Sequence, residues 1–235
     1  MPEFTGLFGL YFVRPIYFLL VYILDILPDH SLGWAIIILT LGIRLILYFP
    51  MHKSLRQQKT MQQLQPKIKA VREQYKHDQQ LLAKKTMELY KEHGVNPFGS
   101  CLPLIIQLPI LLAVYQVLLL EIKYEGVNAL FLGVNLAVIE PYFFPLTVGV
   151  TQFISMKLMS RRQKARMHEI AAHNQREPEP MQEQEKMMSM MTYMMPILII
   201  WIAMTLPAGL SLYWITSTLF GIGQQLLINF QEQKT

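Results

Sequence analysis

One arginine, set well inside an apolar run, has more chemistry to offer than any other residue of this chain. Residues 33–51, from Gly33 to Met51, are apolar except for Thr40 and Arg44. About 20 such residues cross a hydrocarbon core of about 30 Å. Arg44 therefore lies deep in a membrane span, where a guanidinium costs about 2.5–3.5 kcal/mol on insertion scales. A charge so placed faces a water-filled cavity or a partner, or is tied to backbone carbonyls and simply locks helices together. Thr40, one helical turn earlier, shares its face. Near the C-terminus Ser211, Trp214, Thr218, Gly221 and Gln225 recur at +3, +7, +10 and +14. They form one helical face, which either packs against another helix or lines a polar groove. Gln107 and Gln152 add neutral hydrogen-bonding groups in two further apolar runs. The spans hold no Asp or Glu to face Arg44, and a positive charge among neutral polar groups suits transient attraction of an incoming negative charge.

The residues for bond-making chemistry are missing. His52, His77 and His93 lack metal-ligand spacing, and His168 and His173 are five apart, which misses the i, i+4 of a metal-binding helix face. There is no Gly-rich phosphate loop, and no histidine or lysine lies beside a Ser or Thr within the spans. Neither an enzyme nor a cofactor nor a metal is expected. The single cysteine, Cys101, excludes an intrachain disulfide framework and reads as a small apolar filler. Methionines at 181, 187, 188, 190, 191, 194 and 195 read either as filler of a membrane helix or as a face able to repack around varied apolar partners.

The elements that must position Arg44 follow from charge and hydropathy. Of 235 residues, 52% are hydrophobic and 16% charged, with a mean hydropathy of +0.28, whereas a soluble domain carries about 25% charged residues. Apolar runs mark spans at 33–52, 101–120, 141–159, 187–205 and 207–229. The last two are joined by a tight turn at Leu206-Pro207-Ala208-Gly209. Segment 53–100 is basic, with ten Lys/Arg against four Asp/Glu counted from residue 52, and the loop 160–186 carries seven against five counted from Lys157. Segments 1–32 and 121–140 each carry one basic and three acidic residues. The positive-inside rule then puts the N-terminus outside and the tail 230–235 in the cytoplasm. The net charge of +5 belongs to the cytoplasmic face, which counts against sequence-specific nucleic-acid binding.

Residues 7–28 are apolar yet hold Arg14, Pro15 and Asp25. Arg14 and Asp25 return to nearly the same helical angle, with Tyr17 and Val21 between them, which favours an amphipathic helix in the outer interface; the alternative is a sixth span, which would move the N-terminus to the cytoplasm. Within 53–93, Met61, Leu64, Ile68, Val71 and Tyr75 follow a coiled-coil spacing. Lys76-His77-Asp78 makes a turn, and a return helix carries Leu82, Met87, Leu89 and Tyr90 until Gly94 and Pro97 stop it. This antiparallel hairpin, with Lys67, Lys69, Lys84 and Lys85 in water, reads either as a solvated linker or as a docking arm for a ribosome, a targeting factor or anionic lipids.

Several stretches together resemble the YidC family of membrane protein insertases, whose relatives are the mitochondrial Oxa and plastid Alb proteins. They are Thr40-xxx-Arg44, Leu64-Gln65-Pro66-Lys67-Ile68, Leu89-Tyr90-Lys91, Val95-Asn96-Pro97-Phe98-Gly99-Ser100-Cys101-Leu102-Pro103 and Gln107-Leu108-Pro109-Ile110. Gly149-Val150-Thr151-Gln152, Leu206 to Trp214 and Gln224-Gln225 complete the set. The resemblance implies an all-α integral membrane fold, with five transmembrane helices around a hydrophilic groove open to the cytoplasm and closed outside. It puts Arg44 in that groove, with Gln152 and Trp214 along it, and makes 53–93 the cytoplasmic arm and 7–28 the interfacial helix. The implied function is insertion of small membrane proteins in the bacterial inner membrane, alone or with the Sec translocon. The chain shows neither a large extracytoplasmic domain, nor a lipoprotein signal, nor a long basic C-terminal tail. A small-solute or anion transporter using Arg44 is the alternative, but no second copy of the Arg-bearing span is found, as inverted repeats would require.

Overall fold

Backbone N–H and C=O groups in an apolar environment must be satisfied within their own segment, so long apolar runs fold as helices. The computed structural model describes residues 6–96, 102–121, 126–173 and 181–232. Cys101, the segment 174–180 and the end of the tail lie outside the described residues, as do the side chains of Met181, Met187, Met188 and Met191. Helix α1 runs Gly6–Ile26 with a π-helical turn at Gly9–Val13. It is followed by α2 (Leu32–Ile46), α3 (Tyr48–Gln74), α4 (Gln79–Glu92) and α5 (Leu102–Glu121). A small antiparallel β-hairpin, β1 (Leu130–Phe131) and β2 (Val134–Asn135), precedes α6 (Phe143–His173), α7 (Met181–Ala203) and α8 (Ala208–Glu232). The described residues are mostly helical, as expected, and this two-residue-strand hairpin is an addition to that fold; its turn residues Leu132 and Gly133 both take positive φ, 52° and 80°, as a type I′ turn requires.

Two further expectations change. The run 33–51 is carried by two helices, not one, and breaks at Leu47 (φ −84°, ψ 3°). Pro50 explains the break, because in a continuous helix its ring would collide with the carbonyl of Ile46 and leave that carbonyl without a donor. The segment 160–186, expected as a loop, is helical as far as His173 and again from Met181, since its Arg, Lys, Glu, Gln and Met residues are good helix formers. By length and composition, Gly6–Ile26 is apolar enough to cross a membrane by itself, and Leu32–Ile46 with Tyr48–Gln57 passes as a bent pair. Ile105–Leu120 and Thr192–Ala203 are shorter apolar helices.

The chain forms two compact units, residues 47–107 and the remainder. In the smaller one, α3 and α4 make the antiparallel hairpin that the heptad spacing implies. Leu64, Ile68 and Val95 are buried in it, with Met61, Leu89 and Tyr90 packed against them. The carboxylate of Asp78 caps α4 by accepting from Gln80 N–H and Leu81 N–H at 3.1 and 3.0 Å, the standard device for orphan donors. At the other end Gly94 takes φ +62°, which lets Gly94 N–H reach Lys91 O at 3.1 Å and Val95 N–H reach Tyr90 O at 2.9 Å. That is a Schellman stop, and it folds Val95 back into the core. Met87, expected in the buried stripe, is 45% exposed; two residues before Leu89, it points to the opposite side of the helix. His93 Nδ1 lies 2.9 Å from Leu89 O, and its Nε2 lies 2.9 Å from Lys67 Nζ. A carbonyl only accepts, so the Nδ1–H donates to it and Nε2 accepts from Lys67, tying α3 to the end of α4.

In the larger unit α1 packs on α2, α2 on α8, α8 on α6, and α6 on α7. The α1 seam is Val13, Tyr17, Leu20 and Leu24, all buried at 4-3-4 spacing. Tyr17 thus belongs to the seam and not, as expected, to the polar stripe of Arg14 and Asp25, which are exposed. At Gly209 an added Cβ would stand 3.2 Å from both Ile36 Cδ1 and Leu136 O and 3.4 Å from Leu118 Cδ1. A hydrogen atom there is what lets α2, α5 and α8 converge.

The connection between α5 and α6 then closes three helix N-termini, whose first N–H groups have no partner in their own helix. Asn128 O accepts from Leu32 N–H at 3.0 Å, at the start of α2. Leu136 O and Val138 O accept from Gly209 N–H and Ala208 N–H, both at 2.9 Å, at the start of α8. Glu140 serves α6: its Oε1 accepts from Tyr142 N–H and Phe143 N–H at 2.9 and 3.0 Å, and its Oε2 from Phe144 N–H at 2.8 Å. Desolvation pushes the Glu140 carboxyl up, but the three N–H donors outweigh it and hold it below the usual carboxylate range. A depressed carboxylate stabilises the fold above its unfolded value, about 4.3, and loses that contribution as pH falls through the folded value. Glu140→Ala is expected to cost about 1 kcal/mol at neutral pH. In melts of the purified protein in detergent, the gap from wild type should close below about pH 4; a gap independent of pH would contradict this.

Candidate functional site

Arg44 stands in the last turn of α2, directed at the middle of α8. Its Nε–H donates to Ser217 Oγ at 2.9 Å, and its Nη2 donates to the same oxygen. One edge of the guanidinium is therefore gripped by a single hydroxyl that is only 1% exposed. A hydrogen bond to a charged group contributes about 1.5–3 kcal/mol, the same order as the cost of placing an arginine at membrane depth. Serine is neutral, so this bond orients the cation and leaves its charge in place.

The residues expected at the site fall into two groups. Trp214, Thr218 and Gln225 on α8 and Gln152 on α6 are half-buried, as is Arg44, and α6, α8 and α2 pack side by side. Thr40 and Ser211 are almost wholly buried, at 0% and 2% exposure. Thr40 Oγ1 donates to Ile36 O at 2.6 Å, back within its own helix. That pattern suits packing between α2 and α8 better than an open polar wall. On α6 the hydroxyl of Thr151, next to Gln152, also stays local, donating to Thr147 O and Val148 O at 2.9 Å.

Ser217 was not among the expected residues. The +3/+7/+10/+14 pattern picked out one face of α8, while Arg44 meets the neighbouring face, where Tyr213, Ser217 and Gln224 are buried at 1%, 1% and 4%. The signal was present: three polar residues at +4 and +11 among apolar ones, on the same helix. Thr216, one position earlier, donates to Leu212 O at 2.9 Å.

A helical chain whose apolar helix α2 turns a half-buried arginine onto a hydroxyl of α8 defines a class of membrane protein, and comparison with known proteins narrows it. The chain belongs to the 60Kd inner membrane protein family, which matches residues 24–235 and places it in the bacterial inner membrane. It is similar to Membrane protein insertase YidC 1 of Listeria monocytogenes, 37% identical over 97% of this chain and 74% of that protein. It is also similar to Membrane protein insertase MisCA of Bacillus subtilis, 36% identical over 93% of this chain and 77% of that protein. Membrane protein insertase YidC of Wolinella succinogenes is 34% identical over 93% of this chain, which spans only 37% of that longer protein. Among solved structures, an active YidC insertase, with its first transmembrane domain resolved, superposes with a TM-score of 0.61 at 27% identity. The match covers 94% of this chain and 47% of that one.

Because the Thr40 hydroxyl bonds inside its own helix, Thr40→Val is expected to change the unfolding free energy by less than about 1 kcal/mol. Thermal melts in detergent check this, and a larger loss would show that the hydroxyl bridges two helices.

Proposed function

We propose that this chain is a membrane protein insertase, which lowers the barrier for passing a short polar tail across the bilayer and makes or breaks no covalent bond. The observation that carries the reading is Arg44, held by a neutral hydroxyl at the junction of α2 and α8. The names of the similar proteins support it, and they give no support to solute transport.

In this reading Arg44, Gln152, Trp214, Thr218 and Gln225 line a hydrophilic groove open to the cytoplasm, with Thr40 and Ser211 packing its back wall. Five spans surround it, made from α2 with the start of α3, then α5, α6, α7 and α8. The N-terminus lies outside and the C-terminus in the cytoplasm, as the loop charges require. Helix α1 lies in the outer interface, with its seam on α2, Arg14 and Asp25 to water, and its remaining apolar face in lipid. The basic α3–α4 hairpin meets a ribosome, a targeting factor or anionic headgroups, and the Sec translocon cooperates for larger substrates.

The mechanism follows from charge and burial. Arg44 attracts the acidic or polar tail of a nascent membrane protein part-way, at the low effective dielectric of the groove. The apolar segment of the substrate then slides along the groove into lipid, gaining about 0.8 kcal/mol per buried methylene, and the tail is released outward. Small proteins with few translocated charges are the favoured substrates. In proteoliposomes, insertion of a single-span protein with an acidic tail is expected to fall several-fold for Arg44→Ala and largely to survive Arg44→Lys. Full activity in Arg44→Ala would remove the charge from the mechanism.

A further inference from the structure

We propose that the β-hairpin between α5 and α6 is a membrane anchor: its apolar tip, Leu130 and Leu132, enters the outer leaflet where headgroups meet acyl chains. The occupant of this surface is the lipid bilayer. The inference rests on the orientation in the insertase reading above and adds a lipid-binding element to it.

Phe131 fixes the way the hairpin faces. Its ring lies over Gly33 of α2, where any Cβ would run into it, and stands edge-on to Trp34, with ring centroids 5.7 Å apart. The root of the hairpin is held as well, because Asn128 N–H donates to His30 O at 3.1 Å and Asn128 O accepts from Leu32 N–H at 3.0 Å. Neighbouring side chains of a strand point to opposite faces, so Leu130 is turned away from α2 and is 60% exposed. Leu132, at the turn, is 76% exposed and takes φ +52°, a conformation that Asn, Asp or Gly adopts at less cost. A leucine there gains nothing from the turn and nothing from water, but it gains from contact with acyl chains. From Val127 to Ile139 there is no Asp, Glu, Lys or Arg, whereas a loop in water is ordinarily polar. The apolar surface also carries on into α6, where Phe143, Leu146, Val150 and Ile154 are exposed at 3-4-4 spacing, one face of the helix. In an inner membrane protein that stripe meets lipid. Trp34 and Tyr142, exposed at the N-terminal ends of α2 and α6, are residue types that mark headgroup depth. With two residues per strand, the hairpin has open edges whose backbone groups need water. Its backbone therefore stays among the headgroups, and only the leucine side chains reach deeper. Because the same segment closes the N-termini of α2, α6 and α8, the anchor sets the depth of those helices in the bilayer.

The test uses the full chain, carrying Cys101→Ser, in vesicles of phosphatidylethanolamine and phosphatidylglycerol. A spin label is placed at Leu132→Cys or, as the water-facing control, at Asp29→Cys, which is exposed in the turn before α2. The readout is the ratio of collisions with molecular oxygen, which partitions into acyl chains, to collisions with a water-soluble nickel chelate. That ratio is expected to be several-fold higher at 132 than at 29. Equal ratios would show a tip in water, waiting for a protein partner, and low collision rates with both reagents would show a tip covered by a second copy of the chain; either result overturns the proposal. A second variant asks whether the leucine itself is the anchor. Leu132→Asn suits the turn, so the melting temperature should hold or rise, while a label at Leu130→Cys should shift several-fold toward the nickel chelate. An unmoved label at 130 overturns the proposal. The side of the membrane is read separately, from modification of Asp29→Cys in intact cells by a small charged maleimide that does not cross the inner membrane. If position 29 is not modified, the orientation in the insertase reading fails, and the assignment to the outer leaflet fails with it, whatever the depth at 132. If it is modified and 132 lies in water, only the anchor is wrong.

Discussion

A guanidinium that cannot leave an apolar helix constrains this structure more than any other group. Arg44 sits in the last turn of α2, and the acceptor it meets, Ser217, lies mid-way along α8. Holding that bond fixes the rotation and depth of α8 relative to α2. Because α8 also packs on α6, and α6 on α7, the register of the whole larger unit depends on it. Ser211, Ser217 and Gln224 of α8 are all buried, and Ser217 is the one that meets Arg44 of α2.

The opposite end of these helices is tied down differently. Backbone carbonyls of Asn128, Leu136 and Val138 and the carboxylate of Glu140 satisfy the first N–H groups of α2, α8 and α6. From Leu32 to Arg44 the rise along α2 is about 18 Å, so the site stands well away from this tied end. In the proposed insertase reading the tied end is the outer one and the polar site is reached from the inner side.

Much of this was legible in the sequence, for identifiable reasons. The hairpin of α3 and α4 followed from heptad spacing and from Asp78 and Gly94, because caps and seams are local signals. The Thr40–Arg44 pair marked the helix whose arginine meets Ser217 of α8, since a charge in an apolar run is costly and therefore informative. What failed depended on tertiary contact. Tyr17 lies at an angle compatible with the polar stripe of α1, and only the position of α2 decides that it is buried. Ser217 was hidden because α8 carries two adjacent polar strips and the sequence does not say which one α2 faces. The break at Leu47 could have been read from Pro50, four residues after Ile46, but the unbroken hydropathy masked it. The β-hairpin at Leu132-Gly133 is too short for periodicity to register.

The central claim is that a nascent membrane segment passes along α8 beside Arg44. A photo-crosslinking residue at position 214, half-buried on α8, tests it most directly, with position 201 on α7, which is 66% exposed, as the comparison. With a ribosome-stalled single-span substrate, the account predicts strong crosslinks from 214 to the apolar segment of the substrate and weak ones from 201. Equal crosslinking from both positions, or none from 214 while insertion proceeds, would contradict it.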